Sequence, residues 1–182
     1  MAIHQISVFL ENRAGQLAEI TALLAKNGID LRAINIAETS DYGVLRLIAS
    51  HEPEACRVLR ENGFIFSTSE VVTVGVPDEP GGLSRLLQIL AEKQIDVQYM
   101  YSIFGQPNGM ACMILRVADP AAVSSLLAAN GTEVIIEAED MDKYHNAAVS
   151  KGASKIYLMA RSHGLECRRL TWDPNYKGID DW

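Results

Sequence analysis

Two stretches, NRAGQLAEITALLAKNGID (residues 12–30) and DEPGGLSRLLQILAEKQID (residues 78–96), are one segment written twice. A single shift aligns them without a gap: Gly15 falls on Gly81, Leu17 on Leu83, Leu24 on Leu90, Ala25 on Ala91, and Ile29-Asp30 on Ile95-Asp96. The same shift carries Gly43 onto Gly109. A register that holds across turn, helix and strand marks a duplicated small domain. The period is too long for a solenoid unit. Each copy alone would be marginal, because small domains bury too little surface, so the copies are expected to pack together, to dimerise, or both.

Working outward, IHQISVFLE (3–11) alternates apolar and polar residues as a half-buried strand does. NRAG is a turn, and Leu17, Ile20, Leu23 and Leu24 lie at helical spacing up to the stop at Asn27-Gly28. IDLRAINIAE (29–38) reads as a strand with room for a bulge, VLRLIAS as a third strand, EPEACRVLRENG (52–63) as a short helix with Pro53 in its first turn, and FIFSTS (64–69) as a fourth strand. The second copy repeats the order. EVVTVGV (70–76) is a strand, the helix carries Leu83, Leu86, Leu87 and Leu90 inward, and IDVQYMYSIF (95–104) and MACMILRV (110–117) are strands. DPAAVSSLLAANG (119–131) is a helix capped by Asp119, and TEVIIEA (132–138) is the last strand. The order βαββαβ, met twice, predicts an α+β fold of two ferredoxin-like repeats, each an antiparallel four-stranded sheet with two helices on one face. The expected division is 1–69, 70–138 and a further segment, 139–182. No linker separates the copies, so they should share an interface.

Composition narrows the function. The 182 residues are 48% hydrophobic and carry a formal charge of -7. That balance argues against a general nucleic-acid surface, which needs clustered Lys and Arg. The charge is uneven: residues 1–139 hold 9 basic and 17 acidic side chains, residues 140–182 hold 7 and 6. The three cysteines, Cys56, Cys112 and Cys167, are scattered and form no C-x-x-C, so no disulfide framework or thiolate zinc site is expected. No apolar run approaches the roughly 20 residues that span a bilayer. The start of the chain lacks a secretory pattern, and a reduced cytoplasmic setting is expected. Ser-His-Asp, Cys-His, Walker A and H-E-x-x-H arrangements are missing, which lowers the enzyme reading.

The stretches FLENRAGQLAEITALLAKNGIDLRAI and VPDEPGGLSRLLQILAEKQIDVQYMY, with the full element order, resemble a tandem ACT-domain protein over residues 1–138. The resemblance implies a non-catalytic regulatory module without a cofactor. Such modules pair sheet edge to sheet edge and bind amino acids with the first strand-helix turn. Carried onto this sequence, the ligand-binding residues are Asn12, Arg13, Ala14, Gly15, Gln16 and Leu17 in copy one. In copy two they are Asp78, Glu79, Pro80, Gly81, Gly82 and Leu83. The physical basis is sound: a helix N-terminus offers unpaired N–H groups and partial positive charge to a carboxylate, and glycine permits close approach. Asp30 and Asp96 are further candidates for the ammonium end. The turns differ, since Asp78 and Glu79 would repel a carboxylate. Each glycine also has a purely conformational reading, and Arg46, Arg116, Tyr99 and Tyr101 read as sheet residues. The expected partners are a free amino acid and a second copy of the chain; the alternative is a monomer with one eight-stranded sheet. A partner enzyme follows if the chain is the regulatory subunit of an amino-acid biosynthetic enzyme such as acetolactate synthase.

Beyond the repeat, DMDKYHN and LTWDPNYKGIDDW resemble the later half of a Toprim-like domain. That resemblance implies a metal role for Asp140 and Asp142, carboxylates two apart after a strand, with Lys177, Asp180 and Asp181 in the terminal segment. The earlier strand bearing a catalytic Glu has no counterpart upstream. A partial domain without nuclease or primase chemistry is therefore expected, and a metal-dependent nucleic-acid enzyme is the remaining rival.

Overall fold

The computed structural model describes residues 3–11, 13–38, 42–103 and 110–135. Seven strands and four helices alternate: β1 (Ile3–Glu11), α1 (Gln16–Lys26), β2 (Leu31–Glu38), β3 (Tyr42–Ala49), α2 (Glu52–Glu61), β4 (Phe66–Pro77), α3 (Gly82–Glu92), β5 (Tyr99–Ile103), β6 (Met110–Arg116), α4 (Pro120–Ala129) and β7 (Glu133–Ile135). The expected βαββαβ order is present twice. Asn12, Asp140, Asp142 and the whole segment 139–182 lie outside the described residues.

Among the described residues the sheet has seven strands rather than eight, because one strand serves both copies. FSTSEVVTVGVP runs unbroken as β4, across the expected boundary at 69/70. Its first half pairs antiparallel with β1, from Val8↔Phe66 to Ile3↔Val71. Its second half pairs with β6, from Val72↔Leu115 to Pro77↔Met110, and with β7 through Thr73↔Ile135. Within copy one the neighbours run β2-β3-β1-β4, and within copy two β7-β4-β6-β5. Both are the same ferredoxin-like arrangement.

Alternation along β4 decides where the cores lie. On the helix side of copy one, Ile6, Val8, Leu10, Leu45 and Leu47 pack under Ile20 and Leu24 of α1 and Ala55 and Leu59 of α2. On the helix side of copy two, Val72, Val74, Val76 and Leu115 pack under Leu86 and Leu90 of α3 and Val123 and Leu127 of α4. The opposite faces of both half-sheets meet in a third core of Ile3, Ala33, Ile48, Val71, Tyr101, Cys112, Ile114 and Ile135. β2 and β5, which end the strand order on either side, come into contact there. The sheet face that carries Arg46 is thus covered by the other half: its guanidinium lies 4.0 Å from the centre of the Tyr99 ring. Arg116 turns back to donate to the carbonyls of Glu70 and Val117 at 3.0 and 3.1 Å.

The second strand of each copy starts later than the pattern predicts. β2 has its bulge, between Leu31 and Ala33. β5 begins only at Tyr99, because Ile95 and Val97 turn into the helix-side core before pairing starts.

Candidate functional site

The two glycine turns adopt one geometry. Gly15 (φ 88°) and Gly81 (φ 89°) are left-handed residues immediately before α1 and α3. An L side chain is strained there, so the backbone itself requires glycine. No side chain caps either helix. α4 makes the contrast: Asp119 accepts from the Ala122 N–H at 3.0 Å, filling its own N-terminus. The first-turn amides of α1 and α3, like those of α2, are left without a side-chain acceptor, and they carry the positive end of the helix dipole; α1 and α3 alone start from a left-handed glycine.

The side chains around the two turns differ. In copy one Arg13 donates from Nη2 to Glu19 Oε2 at 2.8 Å, with Glu11 3.9 Å from its Nε. In copy two Glu79 pairs with Arg85. Under the repeat register Arg13 is equivalent to Glu79 and Glu19 to Arg85, so one turn-to-helix bridge is built twice with its charges exchanged. Arg85 Nη1 lies 3.5 Å from where a Cβ on Gly81 would sit, which puts the cation beside the helix start. Neither Glu19 nor Arg85 was among the expected site residues, although the register that aligns the copies also aligns these two positions.

Position 16/82 differs more sharply. Gln16 opens α1 half-buried, and its Oε1 is shielded from water without a hydrogen-bond donor. Gly82 opens α3 buried, and a Cβ there would stand 2.1 Å from the Pro77 carbonyl oxygen. Copy two closes its turn on Pro77 where copy one admits a side chain. Leu17 and Leu83 follow in both copies, 39% and 37% exposed at the same place beside the helix start. Ala14, Asp78, Glu79 and Pro80 are exposed turn residues.

The structure does not bring the two turns together. β1 runs antiparallel to β4 and ends beyond Phe66, whereas the second turn leaves the Pro77 end of β4. Twelve residues of strand, at most about 40 Å along β4 at about 3.3 Å per residue, lie between them. They are two separate turns rather than one cluster. Asp30 is already engaged, accepting from the Leu31 N–H at 2.9 Å and pairing with Arg32. Asp96 is exposed at the equivalent place. Among the described residues, no group of three or more His, Cys, Asp or Glu side chains is placed to hold a metal ion.

Comparison with known proteins fits this geometry. A family model described as an ACT domain pair matches residues 1–144, and the chain belongs to that family. The match runs through Asp140 and Asp142, and nothing found supports a Toprim-like domain in the tail. A protein of Bacteroides thetaiotaomicron of known structure is similar at 33% identity, with a TM-score of 0.71 over 79% of this chain and 96% of that one. The ligand-free regulatory subunit of aspartate kinase from Thermus thermophilus shares the fold at 17% identity and a TM-score of 0.54, covering 72% of this chain and 92% of that one. The Thermus flavus subunit does so at 16% and 0.50, covering 72% and 93%. Comparison with curated protein sequences returns no significant match. The fold class is thus a mixed α+β ACT pair, a regulatory architecture. Among the described residues no helix is long and apolar enough to cross a membrane.

Proposed function

We propose that the protein is a non-catalytic regulator that senses an amino acid at its strand-to-helix turns, one in each copy. The observation that carries this reading is the pair of open helix starts at Gly15 and Gly81. A carboxylate suits their uncapped amides. In copy one, the shielded Gln16 Oε1 supplies an acceptor for an ammonium group, the other end of the same ligand. Arg13 in copy one and Arg85 in copy two flank the carboxylate, each held by an acidic partner. Asn12, Ala14 and Leu17, and Asp78, Glu79, Pro80, Gly82 and Leu83, complete the two proposed sites.

Output is proposed to pass through association, with a second copy of the chain or with a partner enzyme of amino-acid biosynthesis. β2 pairs with β3 on one side, and among the described residues no strand occupies its other edge. Such an edge needs a partner or protection. Its sequence is self-complementary: antiparallel pairing centred on Asn35 sets Ile34 opposite Ile36 and Ala33 opposite Ala37. Ile34 and Ile36 are 49% and 46% exposed, so a homodimer would cover both.

Thermal-shift screening of the full chain against each of the twenty amino acids tests the sensing reading, because a ligand bound only by the native state raises stability by mass action. At least one amino acid should raise the Tm at millimolar concentration, and Gln16→Leu should weaken that response. A flat response to all twenty would remove amino-acid sensing. Light scattering on Ile36→Lys tests the edge: the wild type should run as a dimer and the variant as a monomer.

A further inference from the structure

The third core has a polar centre. Gln5 of β1 is fully buried, one of two buried polar residues among those described. Its Nε2 donates to the Tyr99 hydroxyl at 2.7 Å and to Ser7 Oγ at 3.0 Å, and its Oε1 accepts from the Tyr101 hydroxyl at 2.9 Å. Arg46 of β3 covers the Tyr99 ring from the copy-one side. These contacts tie β1 and β3 of one half to β5 of the other, across 94 and 96 residues of sequence. The equivalents of Gln5, Tyr99 and Tyr101 under the repeat register are Val71, Ala33 and Asn35, so the cluster forms in one orientation of the halves only.

We infer that the two halves open and close as bodies about the middle of β4, and that the Gln5–Tyr99–Tyr101 cluster is the latch that holds them closed. Each half keeps a helix-side core of apolar residues that opening leaves intact. The covalent link between the halves is β4, which changes partner from β1 to β6 between Val71 and Val72. Regions of a protein open separately where their contacts are fewest, and among the described residues this interface is the smallest of the three cores. Its polar centre lowers the cost of opening further. Closed, the Gln5 amide is satisfied by tyrosine hydroxyls; open, water satisfies both sides, whereas the apolar cores gain nothing from water. The latch sits near the middle of β4, between the two turns. β1 leads into the first turn, and β5 follows the helix that starts at the second.

The chain carries its own reporters. Cys112 is fully buried in the interface, and burial raises its thiol pKa to about 12. Cys56 lies in the copy-one helix-side core. Maleimide labelling of the full chain with Cys167→Ser, followed by mass spectrometry, reads both thiols at once. Tyr101→Phe leaves the buried Gln5 oxygen without its donor, and Gln5→Leu removes the amide; each should speed Cys112 labelling about tenfold or more and leave Cys56 within about twofold. Tyr99→Phe substitutes if Gln5→Leu does not fold. Parallel acceleration of Cys56 and Cys112 would mean global unfolding and overturn the hinge. Unchanged Cys112 labelling in the folded variants would overturn the latch.

Discussion

The two glycine turns share a backbone and differ in almost everything built on it. Both helices start from a left-handed glycine and lack a side-chain cap. Both end alike: Ile29 N–H reaches the Leu24 carbonyl, and Ile95 N–H reaches the Leu90 carbonyl, each at 3.0 Å. Yet the bridge Arg13–Glu19 is answered by Glu79–Arg85, and the side chain of Gln16 by the bare Gly82. The conformation is what the duplication kept, because it sets the angle at which helix leaves sheet. The charged bridges were free to diverge, because Arg13, Glu19, Glu79 and Arg85 are all exposed. Two such turns, at opposite ends of β4, need not take the same ligand.

The sharpest way to break this comparison is at position 16/82. Gly82→Ala drives a methyl against the Pro77 carbonyl, a backbone atom that cannot step aside, and should cost about 3 kcal/mol by urea unfolding. Gln16→Ala should cost well under about 1 kcal/mol, since it removes an amide whose oxygen has no partner. Equal costs would show that the copies close their turns alike.

A smaller effect is expected at the helix exits. Gly28 (φ 70°) closes α1, while the same place after α3 holds Gln94 at φ 53°, the one non-glycine with positive φ among the described residues. Gln94→Gly should raise stability by about 0.5–1 kcal/mol, and Gly28→Gln should lower it by a similar amount. A stabilised Gly28→Gln variant would contradict the assigned geometry.

The smallest effect tests the exchanged charges. Arg13→Glu with Glu19→Arg rebuilds the copy-two bridge in copy one. Exposed ion pairs contribute little, so the bridge itself should survive the exchange almost unchanged. Moving a cation into the first turn of α1 opposes the helix dipole, and the double variant should lose about 0.3–1 kcal/mol. It should also hold a carboxylate ligand less tightly than the wild type does, because an acidic side chain then stands in the turn where Arg13 flanked the carboxylate. Calorimetry with whichever amino acid raises the Tm reads this directly, and unchanged binding would place the ligand elsewhere.

Most of the architecture was legible in the chain. Alternation in IHQISVFLE, leucine spacing after Gly15 and Gly81, and Asp119-Pro120 at a helix start each report a local preference, which sequence states directly. The 66-position register even contains the exchange of Arg13 for Glu79 and Glu19 for Arg85, though sequence does not say that residues six apart across a glycine turn touch. Three matters belonged to the tertiary structure. FIFSTS and EVVTVGV read as two strands, and pairing with β1 at one end and β6 at the other made them one. Gln5, Arg46, Tyr99 and Tyr101 look like ordinary sheet residues, because nothing local reveals that one half-sheet covers the other. The requirement for Gly82, unlike that for Gly81, comes from the Pro77 carbonyl standing over it. Sequence fixes what each segment prefers within a few residues of itself; which face becomes an interface depends on how distant segments meet, and only the folded chain decides that.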